Sequence, residues 1–294
     1  MLNTKLLHLL LFAFLSFNIF AQDTVKFENA LLWEIAGNGL DQKSYIFGTI
    51  HFVPEEDFFF TDVMMQRFKE CEILALEIDI NMSIIEQVKL AKKTLLPDNK
   101  TLADYMEPND YKAFSDYILD TLKISEFTWN SMTKMKPILS STLILNELIP
   151  KSKTYEVEFN KTAKKNKMSV IGLETIESQI DVLNEISIEE QVEMLTNENM
   201  DKDPLEEFMK IVKLHKMQDI NGMLELLYND SSMLEYEEGL LTRRNENWIP
   251  IIESQIKKKP VFIAVGAMHL SGEFGVLNLL LKKGYTLTPL NIFD

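Results

Sequence analysis

The sequence predicts an α/β (α+β) protein: a central mixed β-sheet flanked by helices, with two strand–Gly-x-x-His–helix–strand units separated by a helical middle region. Three observations carry this expectation. Short apolar, β-branched runs stand near the two ends of the chain, whereas most of the stretch between them repeats at helical spacing. An apolar run leads into Gly-x-x-His twice, at Gly48 to His51 and at Gly266 to His269. Gly and Pro number only 10 and 9 in 294 residues, too few for a loop-rich all-β chain.

Each element follows from local pattern. Residues 31–37 and 43–49 are apolar runs around Asn38-Gly39, a turn dipeptide, and predict a strand pair. Thr61 and Asp62 start a helix that reaches Glu70, with Val63, Met64 and Phe68 on its apolar face. Ile73 to Ile80 is a buried strand carrying Glu77 and Asp79 near its end. Helical spacing then recurs at Ile84–Leu96, Asp110–Lys123, Thr142–Leu148, Glu156–Lys167, Leu205–His215 and Ile220–Tyr228. Glu237–Ile256 contains Pro250, which should kink or split it. A short strand, Ser169 to Leu173, interrupts the helices and runs into Glu174. Val261 to Val265 is a strand, Val276 to Lys283 a helix ended by Gly284, and Tyr285 to Leu290 a closing strand.

Composition bounds the function. Hydrophobic residues at 46% and charged residues at 26% exclude disorder and fibrous repeats. Lys and Arg total 30 against 45 Asp and Glu, a net charge of −15, which argues against nucleic acid and anionic lipid as partners. The lone Cys71 forbids an internal disulfide and is expected to be a buried small hydrophobe. Residues 1–21 show a basic start at Lys5, an apolar stretch from Leu6 to Phe20 and a small residue at Ala21, the pattern of a secretory signal peptide. The expected mature chain, 22–294, is one domain with a helical insertion at about 82–255, secreted or periplasmic, without a stable membrane anchor.

Two of the three histidines left after such cleavage, His51 and His269, belong to the paired motifs. Open α/β sheets bind ligands beyond the carboxyl ends of their strands, where both would lie. Gly48 and Gly266 let the backbone turn tightly or pass close to a ligand. His215 reads as a solvated helix residue. Glu77 and Glu174 each end an apolar run, where a carboxylate is rare unless paired or ligating. Arg243, Arg244 and Asn245 lie in an acidic helix region; one arginine is expected in a surface ion pair. Two histidines with one carboxylate can hold a divalent ion. The same set without metal can run acid–base chemistry, with Arg244 stabilising a developing oxyanion.

Leu32-Trp33-Glu34-Ile35, Tyr45 through His51, Ala75 through Asp79, Gly172-Leu173-Glu174-Thr175, Arg244-Asn245-x-x-Trp248 and Val265 through Gly275 together resemble the TraB/PrgY/GumN family, which includes the animal Tiki proteins. The resemblance implies a central sheet flanked by helices, in the wider erythromycin-esterase-like and ChaN-like group. Tiki proteins are metal-dependent proteases helped by manganese or cobalt. Carried over, His51 and His269 become ligands or acid–base groups, Glu77 the paired carboxylate, and Arg244 with Asn245 the polar contribution of a helix. Thr154-Tyr155-Glu156 stands where the family often has Gly-x-Asp or Gly-x-Glu, and Met268 where Gly is frequent.

The leading expectation is a metalloprotease-like hydrolase acting on a peptide or small molecule. Manganese or cobalt, with zinc ranked behind, would sit on His51, His269 and Glu77 and lower the pKa of bound water. The acidic surface would favour neutral or cationic peptides. The alternatives are a metal-independent, esterase-like hydrolase with His51 as base oriented by Glu77, and a non-catalytic binder of haem, peptide or pheromone. Either Glu77 or Glu174 could be the carboxylate of the site.

Overall fold

The computed structural model describes residues 25–200 and 203–293; the expected signal peptide lies outside them. The strands are β1 (Leu32–Gly37), β2 (Ser44–Thr49), β3 (Val53–Pro54), β4 (Ile73–Ile78), β5 (Ser152–Lys153), β6 (Ser169–Glu174), β7 (Val261–Gly266) and β8 (Tyr285–Leu290). Six of them form one mixed sheet in the order β6-β4-β7-β2-β1-β8. β6, β4, β7 and β2 run parallel, and β1 pairs antiparallel with both β2 and the edge strand β8. β2 is buried at every residue, and β4 and β7 at all but the last. That is why their sequences are continuous apolar runs rather than alternating ones. β3 and β5 form a separate two-residue ribbon that the sequence did not suggest.

The expected elements are present with shifted ends. Asn38 and Gly39 take φ of 47° and 77° between β1 and β2, a left-handed pair that Asn and Gly tolerate. Thr61 caps the helix Asp62–Lys69 through its side chain. The middle holds more helix than the spacing indicated: Glu126–Met132, Ile176–Leu183 and Ile188–Met200 are additional. Pro250 does not split its helix, which runs unbroken from Arg243 to Ile256. Buried Trp248, Ile249, Ile252 and Ile256 hold that face against the core, and this packing outweighs the roughly 3 kcal/mol cost of an interior proline. The irregularity falls instead at the wide turn Glu238–Thr242, just before Arg243.

The main core lies on both faces of the sheet, with Phe68 stacked on Phe159 and Phe262 tilted against both, at centroid distances of 5.0–5.5 Å. A second apolar cluster, around Phe114, Trp129, Ile144 and Leu195, belongs to the helical middle alone. Cys71 is buried, as expected, and burial pushes its thiol up. Among the described residues no helix is long and apolar enough to cross a membrane.

Candidate functional site

The two Gly-x-x-His segments leave adjacent parallel strands. In the register of β2 with β7, Gly48 pairs with Val265 and Thr49 with Gly266, so both motifs exit the same sheet edge side by side. Their contact is close. A Cβ on Gly48 would lie 2.8 Å from Leu270 Cδ1 and 3.0 Å from Ala267 Cα, so the absence of a side chain is what admits the short 3-10 turn Ala267–His269. β4 lies on the other side of β7 and delivers Glu77 beside Gly266, whose N–H donates to Glu77 Oε1 at 2.8 Å. β6, next to β4, delivers Glu174.

Arg244 joins these strand ends. Its Nη2 donates to Glu77 Oε2 and to Glu174 Oε1, both at 2.6 Å, and its Nε donates to Glu174 Oε1 at 3.0 Å. Its Nη1 donates to the Leu240 carbonyl at 2.9 Å and to His269 Nε2 at 3.2 Å. The guanidinium lies 5.0 Å from the Trp248 ring, which itself packs 4.5 Å from His269. Asn245 settles the imidazole: its Nδ2 donates to the Phe274 carbonyl, so its Oδ1 accepts from His269 Nδ1 at 2.6 Å. Nε2 of His269 is therefore the bare nitrogen, and it accepts from Arg244.

Charge follows from this network. Burial alone would raise Glu77; the charges of His269, Arg244 and His51 and the Gly266 N–H more than offset it and hold the carboxyl at about 2. Burial lowers His269 to about 3, with Arg244 and His51 adding to the effect and Glu77 opposing it. His269 is thus neutral at pH 7, and Arg244 is the cation that matters to Glu77 there. One guanidinium does not satisfy both acids: burial raises Glu174 in spite of Arg244.

Above this network opens a cleft of about 490 Å³. His51, Glu77, Glu156, Gln179 and Arg244 form its polar part, and Phe52, Leu76, Ile80, Ile138, Leu139 and Leu183 are among its apolar walls. Glu156, in the first turn of the helix Tyr155–Asn166, accepts a hydrogen bond from Thr49 Oγ1 at 2.8 Å. Burial raises its carboxyl, and the charge of His51 opposes this.

A model of the TraB/PrgY/gumN family matches residues 31–289. The chain belongs to the TraB/PrgY/gumN family. No match was found among curated proteins or among solved structures.

In this member of the family, Glu77, Glu174, Arg244, Asn245, Gly266 and His269 form one contiguous cluster, and His51 lines the cleft beside it. Arg243 instead pairs with Glu185 at the surface, at 2.6 Å. Asp79 turns away to accept from the Asn81 N–H. His215 is not solvated: it is fully buried, stacked on Phe59, with Nε2 donating to the Gly48 carbonyl at 3.1 Å. Its helix packs that face against the core, which a lone polar residue between lysines did not reveal. Glu156 was absent from the expected set; its place in the family's Gly-x-Glu position was the available signal.

The donors do not fit a divalent ion on His51, His269 and Glu77. The lone pair of His269 Nε2 and the Oε2 of Glu77 are already directed at Arg244, and Glu77 Oε1 at a backbone N–H. Among the described residues no group of three or more His, Cys, Asp or Glu side chains is arranged to hold a metal. Nor is Arg244 free to bind an oxyanion, since all five of its N–H groups already have protein acceptors. It acts as a positioning residue.

Proposed function

We propose that this protein is a hydrolase of amide or ester bonds that works by acid–base chemistry without a metal. The observation that carries the reading is the cleft: an apolar trough with His51 and Glu156 on its wall, above carboxylates clamped by Arg244. His51 takes a proton from water as the water oxygen adds to the carbonyl carbon. Gln179 donates one amide hydrogen to Glu77 at 3.2 Å and has a second to offer the developing oxyanion. Glu156, whose environment favours the protonated form, donates to the leaving nitrogen or oxygen as the carbon–heteroatom bond breaks. The proton on His51 then returns to Glu156 through solvent. His269, Asn245, Glu174 and Arg244 hold Glu77 in place.

The proposal includes export directed by residues 1–21, so the exported chain should begin at Gln22 by amino-terminal sequencing. The test of the chemistry is hydrolysis of a peptide library and of chromogenic acyl esters by chelator-treated protein. Activity that survives chelation and is lost in His51→Ala and Glu156→Gln supports the reading. Activity restored only by added manganese, cobalt or zinc refutes it. Stoichiometric binding with no turnover refutes it in favour of a binding protein.

A further inference from the structure

Beside the catalytic cleft lies a second pocket of about 450 Å³, lined by Lys92, Lys93 and Lys136 with Leu95, Asn184 and Ile188 among its other walls. The fold assembles it from distant segments. Lys92 and Lys93 are in the last turn of the helix Ile84–Lys93. Lys136 precedes the helix Pro137–Leu148. A β-bridge between Leu95 and Met135, with Lys136 N–H donating to the Thr94 carbonyl at 2.9 Å, ties the two together. Lysines complement the negative end of a helix, which accounts for Lys92 and Lys93 but not for Lys136 joining them.

In a chain with 45 acidic residues against 30 basic ones, three ammonium groups share this hollow without an ion pair to any of the described residues. Lys136 donates to the neutral Asn184 Oδ1. Burial lowers Lys136, Asp181 opposes this at a distance, and Lys93 adds to it. The pocket is thus an unneutralised cationic concavity with partly apolar walls, the setting in which an anion gains most from each charge. No residue lines both hollows, but the two stand on the same chain segments. Ile138 and Leu139, two and three residues beyond Lys136, line the cleft, as does Leu183, next to Asn184.

We propose that this pocket holds an anionic group of the substrate, so that the protein acts on molecules in which an apolar stretch separates a carboxylate or phosphate from the scissile bond. The cleft takes the apolar stretch and the lysines take the charge. This rests on the hydrolase reading for what happens at the other end. It also reverses the preference for neutral or cationic substrates that net charge alone suggests: the overall charge is negative, but the local field here is positive.

The test is calorimetric titration of the purified protein with a ladder of ω-amido carboxylates of four to ten carbons, each beside the uncharged amide of equal length. An ω-phosphate series and inorganic phosphate alone complete it. At one chain length the carboxylate or phosphate should bind about five- to tenfold more tightly than the amide at low salt, three partly exposed cations each adding the modest factor of an exposed ion pair. The gain should shrink with salt. It should vanish in Lys93→Gln/Lys136→Gln, and likewise in Lys92→Glu/Lys93→Glu, which changes exposed lysines only. Equal affinity of charged and uncharged probes overturns the proposal, as does a gain that survives both variants. Inorganic phosphate binding as tightly as the best chain would also overturn it, because the pocket would then serve free anions. Calorimetry reads binding and not turnover. A protein that prefers the charged ladder but hydrolyses nothing keeps this proposal and loses the hydrolase reading; hydrolysis without the preference does the reverse.

Discussion

Arg244→Met tests how the site is held together. Methionine keeps most of the aliphatic length, so the change removes charge and hydrogen bonds more than volume. Two carboxylates that are about nine-tenths buried, Glu77 and Glu174, lose their cation at once. Breaking a buried ion pair from one side costs about 3–5 kcal/mol, because the remaining charge is stranded. The escape is protonation. At pH 7 that costs about 3 kcal/mol for a carboxyl near 4.5, and less for Glu174, which burial already raises. The two routes bracket the same range, so the variant should lose about 3–5 kcal/mol at pH 7. The sign of its pH dependence is set by the direction of the shifts. With Arg244 gone, the folded-state values of both carboxyls rise above their unfolded values. Such groups penalise folding above the unfolded value and cease to do so below it. The loss should therefore fall below about 2 kcal/mol by pH 4. Urea unfolding followed by tryptophan fluorescence gives the measurement, with Trp248 reporting directly from beside the guanidinium. Adding Glu174→Gln removes one stranded charge, and the double variant should recover at least about 1 kcal/mol relative to Arg244→Met alone. A loss under about 1 kcal/mol at pH 7, or one that does not change between pH 7 and pH 4, would refute the clamp.

Other expectations follow from the same geometry. His215 and His269 are held neutral, at about 4 and about 3, so each favours folding above 6.5 and loses that contribution as pH falls through the interval below. His215→Gln, which can still donate to the Gly48 carbonyl but cannot take up a proton, should flatten the fall in urea midpoint between pH 6.5 and 4 by about half; an unchanged slope would contradict the burial argument. In the wild type, Glu77 at about 2 adds about 3 kcal/mol that is present above 4.5 and lost toward pH 2, so Glu77→Gln should show little further acid loss in that lower window. Gly48→Ala must displace Leu270 or the Ala267 backbone and should cost about 1–3 kcal/mol, read as a lowered Tm; a neutral result would mean that the two motifs do not need their close approach. Glu156→Gln should reduce kcat on chromogenic esters by about 100-fold while leaving the unfolding free energy within about 1 kcal/mol of the wild type, whereas a fall in stability without loss of rate would make it a structural residue.

Much of the fold was readable because its signals are local. The runs at β2, β4 and β7 are apolar at successive positions, which only strands buried on both faces require, and Asn38-Gly39 announces its own turn. Pro250 misled for the opposite reason. Its local cost is real, but the buried face of its helix outweighs it, and that face is a property of packing. His215 failed similarly, since its flanking lysines point to solvent while its own ring faces Phe59 and the Gly48 carbonyl. Glu156 and Gln179 stand on helices after β5 and β6, far in sequence from the histidine motifs, and no spacing rule connects them.

The sequence by itself determined that two Gly-x-x-His segments would each leave the carboxyl end of a strand and that acids would stand at the ends of other apolar strands, because strand burial and glycine turns are written in consecutive residues. Only the tertiary structure decided what sits between them. β7 comes to lie between β4 and β2, and the helix Arg243–Ile256 lowers Arg244 onto Glu77, Glu174 and His269. Strand order and helix docking depend on contacts between residues more than a hundred positions apart, as with Glu77 and Arg244, and such contacts leave no periodic mark on the chain.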